Sequence, residues 1–134
     1  MIVVDTNVLV YFWIHGPRTA VAEAVLRKDA VWAAPVLWRS EFRNALATLV
    51  QQRAISLDVA HHVASEAERR MAGQEYDVIS HQILALAARS GCSAYDCEFV
   101  ALAQHLEVPL VTTDGEVLRA FPSVAVRPET FVAG

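Results

Sequence analysis

Hydrophobic positions along the chain alternate between short continuous runs and stripes of helical period. Ile2, Val3 and Val4 form a β-branched run that stops at Asp5, Thr6 and Asn7, after which Val8, Leu9, Phe12 and Trp13 return at helical spacing. The pattern predicts a strand, a turn and a helix. Gly16 and Pro17 break that helix, and Ala20 to Arg27 reads as a second short amphipathic helix leading to the apolar segment Val31 to Ala34, a candidate buried strand. From Pro35 the period turns helical again, with Phe42, Ala45, Leu46, Leu49 and Val50 on one stripe. Ser56 is placed to cap the next helix, whose inward positions are Val59, Ala60, Val63, Ala64 and Ala67, and Gly73 ends it. Further helices are expected from Ser80 to Arg89, with Gly91 behind it, and from Ser93 through Leu106. Val108 to Thr112 reads as a strand closing at Asp114 and Gly115. A short helix through Val117 and Leu118 and a last strand at Val124 to Val126 complete the order. β-Branched runs separated by helices imply an α/β fold, a small central parallel sheet flanked by helices on both faces. No internal repeat or low-complexity linker interrupts it, so one domain over residues 1–134 is expected.

Composition narrows the classes. At 54% hydrophobic and 19% charged residues, the chain has ample material for a core and none of the bias of a disordered tail. Its longest apolar stretch, Ala30 to Trp38, is about half of the ~18–20 residues a bilayer crossing takes, so no membrane association is expected. The amino terminus has an acid at Asp5 and no basic region before a long apolar run, which makes the cytoplasm the expected compartment. Cys92 and Cys97 stand without other cysteines or a metal-type spacing and read as packed thiols. The formal net charge is −4, from 15 acids and 11 bases, and Lys28 is the sole lysine. That excludes a lysine-bearing phosphate loop and a general polycation binder.

The informative acids are those placed inward or at strand ends. Asp5 and Asp114 both close apolar strands, and in an open parallel sheet the carboxyl ends of the strands border the ligand crevice. Asp96 shares a helical stripe with Phe99 and Ala103, while Glu98 is rotated to the solvated side. Glu41 lies between Leu37 and Ala45 beside a buried stripe. Each has a local explanation as well. Asp96 completes a capping box with Ser93, Asp114 and Gly115 make a turn, Asp5 caps the helix after it, and Glu41 pairs with Arg39 or Arg43. Against those separate explanations stands convergence on one end of one sheet. Clustered carboxylates repel unless protons or cations neutralise them, and an oxygen-only donor set favours a hard ion such as Mg²⁺ or Mn²⁺.

Val3-Val4-Asp5-Thr6-Asn7-Val8-Leu9, then Glu41 near a helix start, then Ser93-Ala94-Tyr95-Asp96 with Phe99 to Ala103, then Leu110-Val111-Thr112-Thr113-Asp114, resemble the ordered motifs of PIN domains, and most of all the VapC-type toxins of toxin–antitoxin pairs. The resemblance spans essentially the whole chain. Cys97, where a small alanine is commoner, and Glu98 depart mildly from the family pattern, and residues 56–76 carry no motif.

The resemblance implies a PIN-like fold and a divalent-metal-dependent endoribonuclease. Asp5, Glu41, Asp96 and Asp114 are then the catalytic and metal-holding residues, with Mg²⁺ or Mn²⁺ as cofactor. Asn7 and Thr112 either orient those carboxylates from behind or bond locally at their turns. Arg39 and Arg43, four apart on the helix of Glu41, either form a ledge for RNA phosphates or are ordinary surface charges. The five histidines lack ligand spacing, and Trp13, Trp32 and Trp38 are expected to pack in the core. The toxin reading further implies a homodimer and a cognate antitoxin. Two rivals differ in kind: a catalytically inactive PIN-like scaffold, and an aspartyl phosphotransferase using Asp5. The second lacks the acid that its pattern places at the position of Asn7.

Overall fold

The computed structural model describes residues 1–134. In chain order the elements are β1 (Ile2–Val4), α1 (Thr6–Trp13), α2 (Thr19–Lys28), β2 (Trp32–Pro35), α3 (Trp38–Gln51), α4 (Leu57–Met71) and β3 (Glu75–Tyr76). They continue with α5 (Ser80–Ser90), α6 (Ala94–Leu106), β4 (Leu110–Val111), α7 (Gly115–Ala120), β5 (Ala125–Val126) and α8 (Pro128–Ala133). All five strands run parallel in the order β3-β2-β1-β4-β5. This is the α/β architecture expected from the alternating pattern.

Successive strand residues point to opposite faces, so a strand buried at every position is covered on both sides. Ile2, Val3 and Val4 are all buried, as are Trp32, Ala33 and Ala34. Helix α6 packs across β1, β2 and β4. It contributes an unbroken buried block from Phe99 to Ala103, wider than a single amphipathic stripe because the helix lies in the middle of the molecule.

The order places β1 at the centre, with the chain stepping to β2 and β3 on one side and later to β4 and β5 on the other. The strand order therefore reverses between β1 and β4. At such a switch point the connections leave in opposite directions and open a crevice at the carboxyl ends of the strands.

Local chemistry sets several boundaries. Ser56 Oγ accepts the Val59 N–H at 3.1 Å, which fixes the start of α4 as the sequence predicts. Gly91, at φ 77°, ends α5 in the left-handed region that glycine adopts without strain. Cys92 and Ser93 then turn the chain directly into α6, and both cysteines are free and buried. Two elements go beyond the sequence expectation. Strand β3 is only Glu75–Tyr76, too short for a periodic signal, and α8 follows Pro128 at the first helical position. Helix α8 is fastened to α2 by an Arg18–Glu129 ion pair and by Lys28, whose Nζ donates to the Phe131 and Gly134 carbonyls. Trp32 and Trp38 are buried as expected, while Trp13 is half-buried with its ring edge against Phe12.

Candidate active site

Asp5 follows β1 directly, and its N–H donates to the Val111 carbonyl of β4, so the carboxylate stands where the sheet reverses. It occupies the N-cap position of α1 yet makes no capping bond. Its Oδ2 instead accepts the Thr112 hydroxyl at 2.7 Å. The same Thr112 oxygen accepts the Asp114 N–H at 3.1 Å, so one buried hydroxyl ties Asp5 to the turn bearing Asp114. Thr112 thus takes the orienting part of its two sequence readings.

Glu41 is held in the same manner from α1. Thr6 Oγ donates to Glu41 Oε1 at 2.8 Å across 35 residues of sequence. The arginine pairing considered for Glu41 does not form. Thr6 was not among the sequence candidates, although helical spacing puts it on the stripe of buried Leu9, a signal that its hydroxyl turns inward. Asn7 is exposed at the same turn and takes part in neither threonine bond.

Asp96 and Asp114 combine local and shared roles. The Asp96 N–H donates to Ser93 Oγ at 3.0 Å, and Asp114 Oδ1 accepts the Val117 N–H at 3.0 Å. The Ser93 hydroxyl thus caps α6 without the return bond from the Ser93 N–H to the Asp96 carboxylate that a full capping box makes, while Asp114 caps α7 through its own carboxylate. For Asp114 one carboxylate oxygen is left over from its cap.

Electrostatics links the group across the crevice. Burial raises the Asp5 carboxyl above its ordinary range against the Thr112 bond, and the charges of Asp96 and Asp114 push it further. Burial also raises Glu41 against the Thr6 bond, with Asp5, Asp96 and Glu98 adding repulsion. Asp96 is raised by burial and then by Asp114, with Ser93 opposing and Glu116 adding to the rise. Asp5 and Asp96 thus lie within reach of each other's charge, with Glu41 on one side of them and Asp114 on the other, although no three acidic, histidine or cysteine side chains converge tightly enough to enclose an ion. Glu98 corrects the sequence expectation: it is half-buried rather than solvated, burial raises its carboxyl, and it bears on Glu41.

The arginine ledge is also corrected. Arg39 Nε and Nη2 donate to the two carboxylate oxygens of Glu75 at 2.6 and 2.9 Å, and Nη1 reaches Glu68 at 3.1 Å. This fork is filled by carboxylates of β3 and α4. Sequence could not reveal it, since Glu75 lies in the strand that has no periodic signal. Arg43 remains exposed beside the groove between α3 and α4.

A parallel sheet whose central strand ends open onto carboxylates held by threonine hydroxyls defines an acid-lined α/β protein. The PIN domain family model matches residues 2–123, and the chain belongs to that family. No curated protein sequence matches it. Solved structures share the fold. PAE2754 from Pyrobaculum aerophilum superposes with a TM-score of 0.77 at 20% identity, covering 98% of this chain and 92% of that one. FitAcB from Neisseria gonorrhoeae gives 0.72 at 19% identity, with 96% and 99% covered. A toxin–antitoxin complex from Klebsiella pneumoniae gives 0.68 at 16% identity, with 96% and 98% covered.

Proposed function

We propose that this protein is the toxin of a toxin–antitoxin pair and cleaves RNA as a Mg²⁺- or Mn²⁺-dependent endonuclease, with Asp5, Glu41, Asp96 and Asp114 as its catalytic residues. The observation that carries this reading is the mutual repulsion of Asp5, Glu41 and Asp96, each raised by burial and by its neighbours' charge at the switch point of the sheet. Such a cluster is costly unless neutralised, and its membership in a PIN domain gives the cost a use. The chemistry of the donor set suits a hard cation, carboxylate oxygens without imidazole, and the acids would draw closer around it to enclose it. Asp5 and Asp96 would carry most of the binding, Glu41 a second ion or the attacking water, and Asp114 its free oxygen directly or through water. When bound, the cation stabilises charge on the phosphate and lowers the pKa of water.

The chain's own residues supply orientation. Thr112 fixes Asp5 with one hydrogen and the Asp114 turn with a lone pair. Thr6 holds Glu41 with its carboxylate turned toward Asp5 and Asp96 rather than toward the arginines of its own helix. These bonds hold the acids before any ligand arrives, which limits reorganisation during the reaction. The likeness to FitAcB and to the Klebsiella pneumoniae toxin–antitoxin complex supports an antitoxin as the partner; a homodimer is the assembly that the toxin reading implies.

Thermal unfolding against increasing Mn²⁺ and Mg²⁺, for the natural protein and Asp96→Asn, tests the metal step. A ligand bound only by the native state stabilises it by about 2.7 kcal/mol at a hundredfold excess over Kd. A saturable rise lost in Asp96→Asn is expected. No rise in the natural protein, with or without a short RNA present, overturns the nuclease reading in favour of an inactive PIN scaffold.

A further inference from the structure

Beyond the acids, two arginines stand on one side of the crevice with their charge uncompensated. Arg119, near the end of α7, folds its side chain back along its helix toward Gly115. Its Nη1 lies 3.1 Å from where a Cβ on Gly115 would stand. Gly115 follows Asp114 directly, so the guanidinium occupies space beside the acid cluster that only the missing side chain leaves free. Arg89, in the last turn of α5, rests its guanidinium 5.8 Å from the ring centroid of buried Phe121. Both arginines are exposed, and neither takes part in any of the protein's ion pairs.

The surface between them is hollowed. A depression of about 410 Å³ is lined by Cys92, Glu116 and Arg119 together with Ser90 and Ala120. A second of about 420 Å³ is lined by Arg89, Gln104 and Ser123 and shares Ser90 and Ala120 with the first. The two adjoin along Ser90 and Ala120, so together they offer one groove. The groove's end lined by Glu116 and Arg119 is next to the acids, because Gly115, toward which Arg119 reaches back, directly follows Asp114, and Cys92 immediately precedes the cap of α6. Its walls are polar, and its two cations are held by a glycine gap and an aromatic face instead of by carboxylates. Arg39 is the contrast: its guanidinium is held by Glu75 and Glu68, which offset its charge within the chain.

We propose that this groove is the path of the RNA strand leading away from the cleavage site, with Arg119 clamping a phosphate beside Asp114 and Arg89 the backbone further out. The proposal rests on the nuclease reading above and deepens it. A protein of net charge −4 needs local cations to hold a polyanion against its own acids, and a planar guanidinium with an unfilled fork matches a phosphate bidentately. Gly115 then has a positioning part, since a Cβ there, 3.1 Å from Nη1, would shift the Arg119 guanidinium from its place.

The test is the binding of short, mixed-sequence, fluorescently labelled single-stranded RNAs in Mg²⁺, followed by anisotropy over a range of salt, with probe integrity checked on a gel. Arg89→Ala and Arg119→Ala should each weaken binding about tenfold across sequences and lower the salt slope by about 0.7 per lost phosphate contact. Arg89→Lys and Arg119→Lys should restore the slope, which a merely structural role would not explain. Gly115→Ala keeps both cations and meets only the far end of a flexible side chain, so it should weaken binding with an unchanged or higher thermal midpoint. Arg27→Ala, on α2, should bind like the natural protein. RNA binding that persists in the alanine variants with the same slope overturns the groove and leaves the nuclease reading intact. Failure of the natural protein to bind any of the RNAs overturns both.

Discussion

Two places in this molecule gather carboxylates, and they are built on opposite terms. At the corner of α3, β3 and α4, Glu68 and Glu75 surround Arg39, and the arginine's hydrogen bonds hold the Glu75 carboxyl below its usual range. At the carboxyl ends of β1 and β4, Asp5, Glu41 and Asp96 face one another with hydroxyls behind them and no cationic partner, and all three are raised. The residue types are nearly the same. What differs is whether the charge is matched within the chain: matched acids fasten elements together, and unmatched ones are poised for something that arrives from outside.

Exchanging the partners of the two places gives the largest contrast. Asp5→Asn should abolish the cation-induced stabilisation, about 2.7 kcal/mol at a hundredfold excess, whereas Arg39→Met should keep it in full, as read from melting curves with and without Mn²⁺. Equal loss in both variants would dissolve the distinction. Arg39→Met should itself cost roughly 2 kcal/mol in urea unfolding, because the Glu75 carboxylate, which also accepts the Trp38 Nε1–H at 2.7 Å, is left without its cation; its partial exposure keeps the cost below that of a fully buried pair.

Smaller effects sharpen the role of the hydroxyls. Thr112→Val removes the donor to Asp5 and the acceptor for the Asp114 N–H, and should cost about 1 kcal/mol while weakening cation affinity roughly tenfold. A stability loss without any change in cation affinity would make Thr112 a structural residue only.

The smallest expected effect is on pH. A carboxyl raised in the folded state binds a proton more tightly than in the unfolded chain, so its stabilising contribution is complete below the unfolded pKa and is lost as pH rises through the folded one. Without divalent cations, Asp5, Glu41 and Asp96 should therefore raise the melting temperature as pH falls from neutral toward the ordinary carboxylate range near ~4. Glu75, Asp29 and Glu129 are lowered, and their contributions are lost only at still lower pH. Saturating Mn²⁺ should remove the rise, since cation and proton compete for the same oxygens. A cation-independent pH profile would place the titration elsewhere.

The sequence by itself determined the alternation of strands and helices, the caps at Ser56 and Ser93, and which four acids stand as candidates, because each is written within a few residues: periodicity, a capping residue, a polar residue ending an apolar run. It also placed Asp114 at a turn, where its carboxylate caps α7. Only the tertiary structure decided which acids are held and by what. The Thr6 bond to Glu41 spans 35 residues and the Thr112 bond to Asp5 spans 107, distances over which no local pattern carries information. Arg39 shows the same limit from the other side. Its spacing from Arg43 puts both on one helix, but its charge is consumed by a residue in a two-residue strand, while Arg119 and Arg89, with no distinctive spacing at all, are left free. A carboxylate or guanidinium acquires its function from the charges and donors packed around it, and those are chosen by the order in which parallel strands assemble.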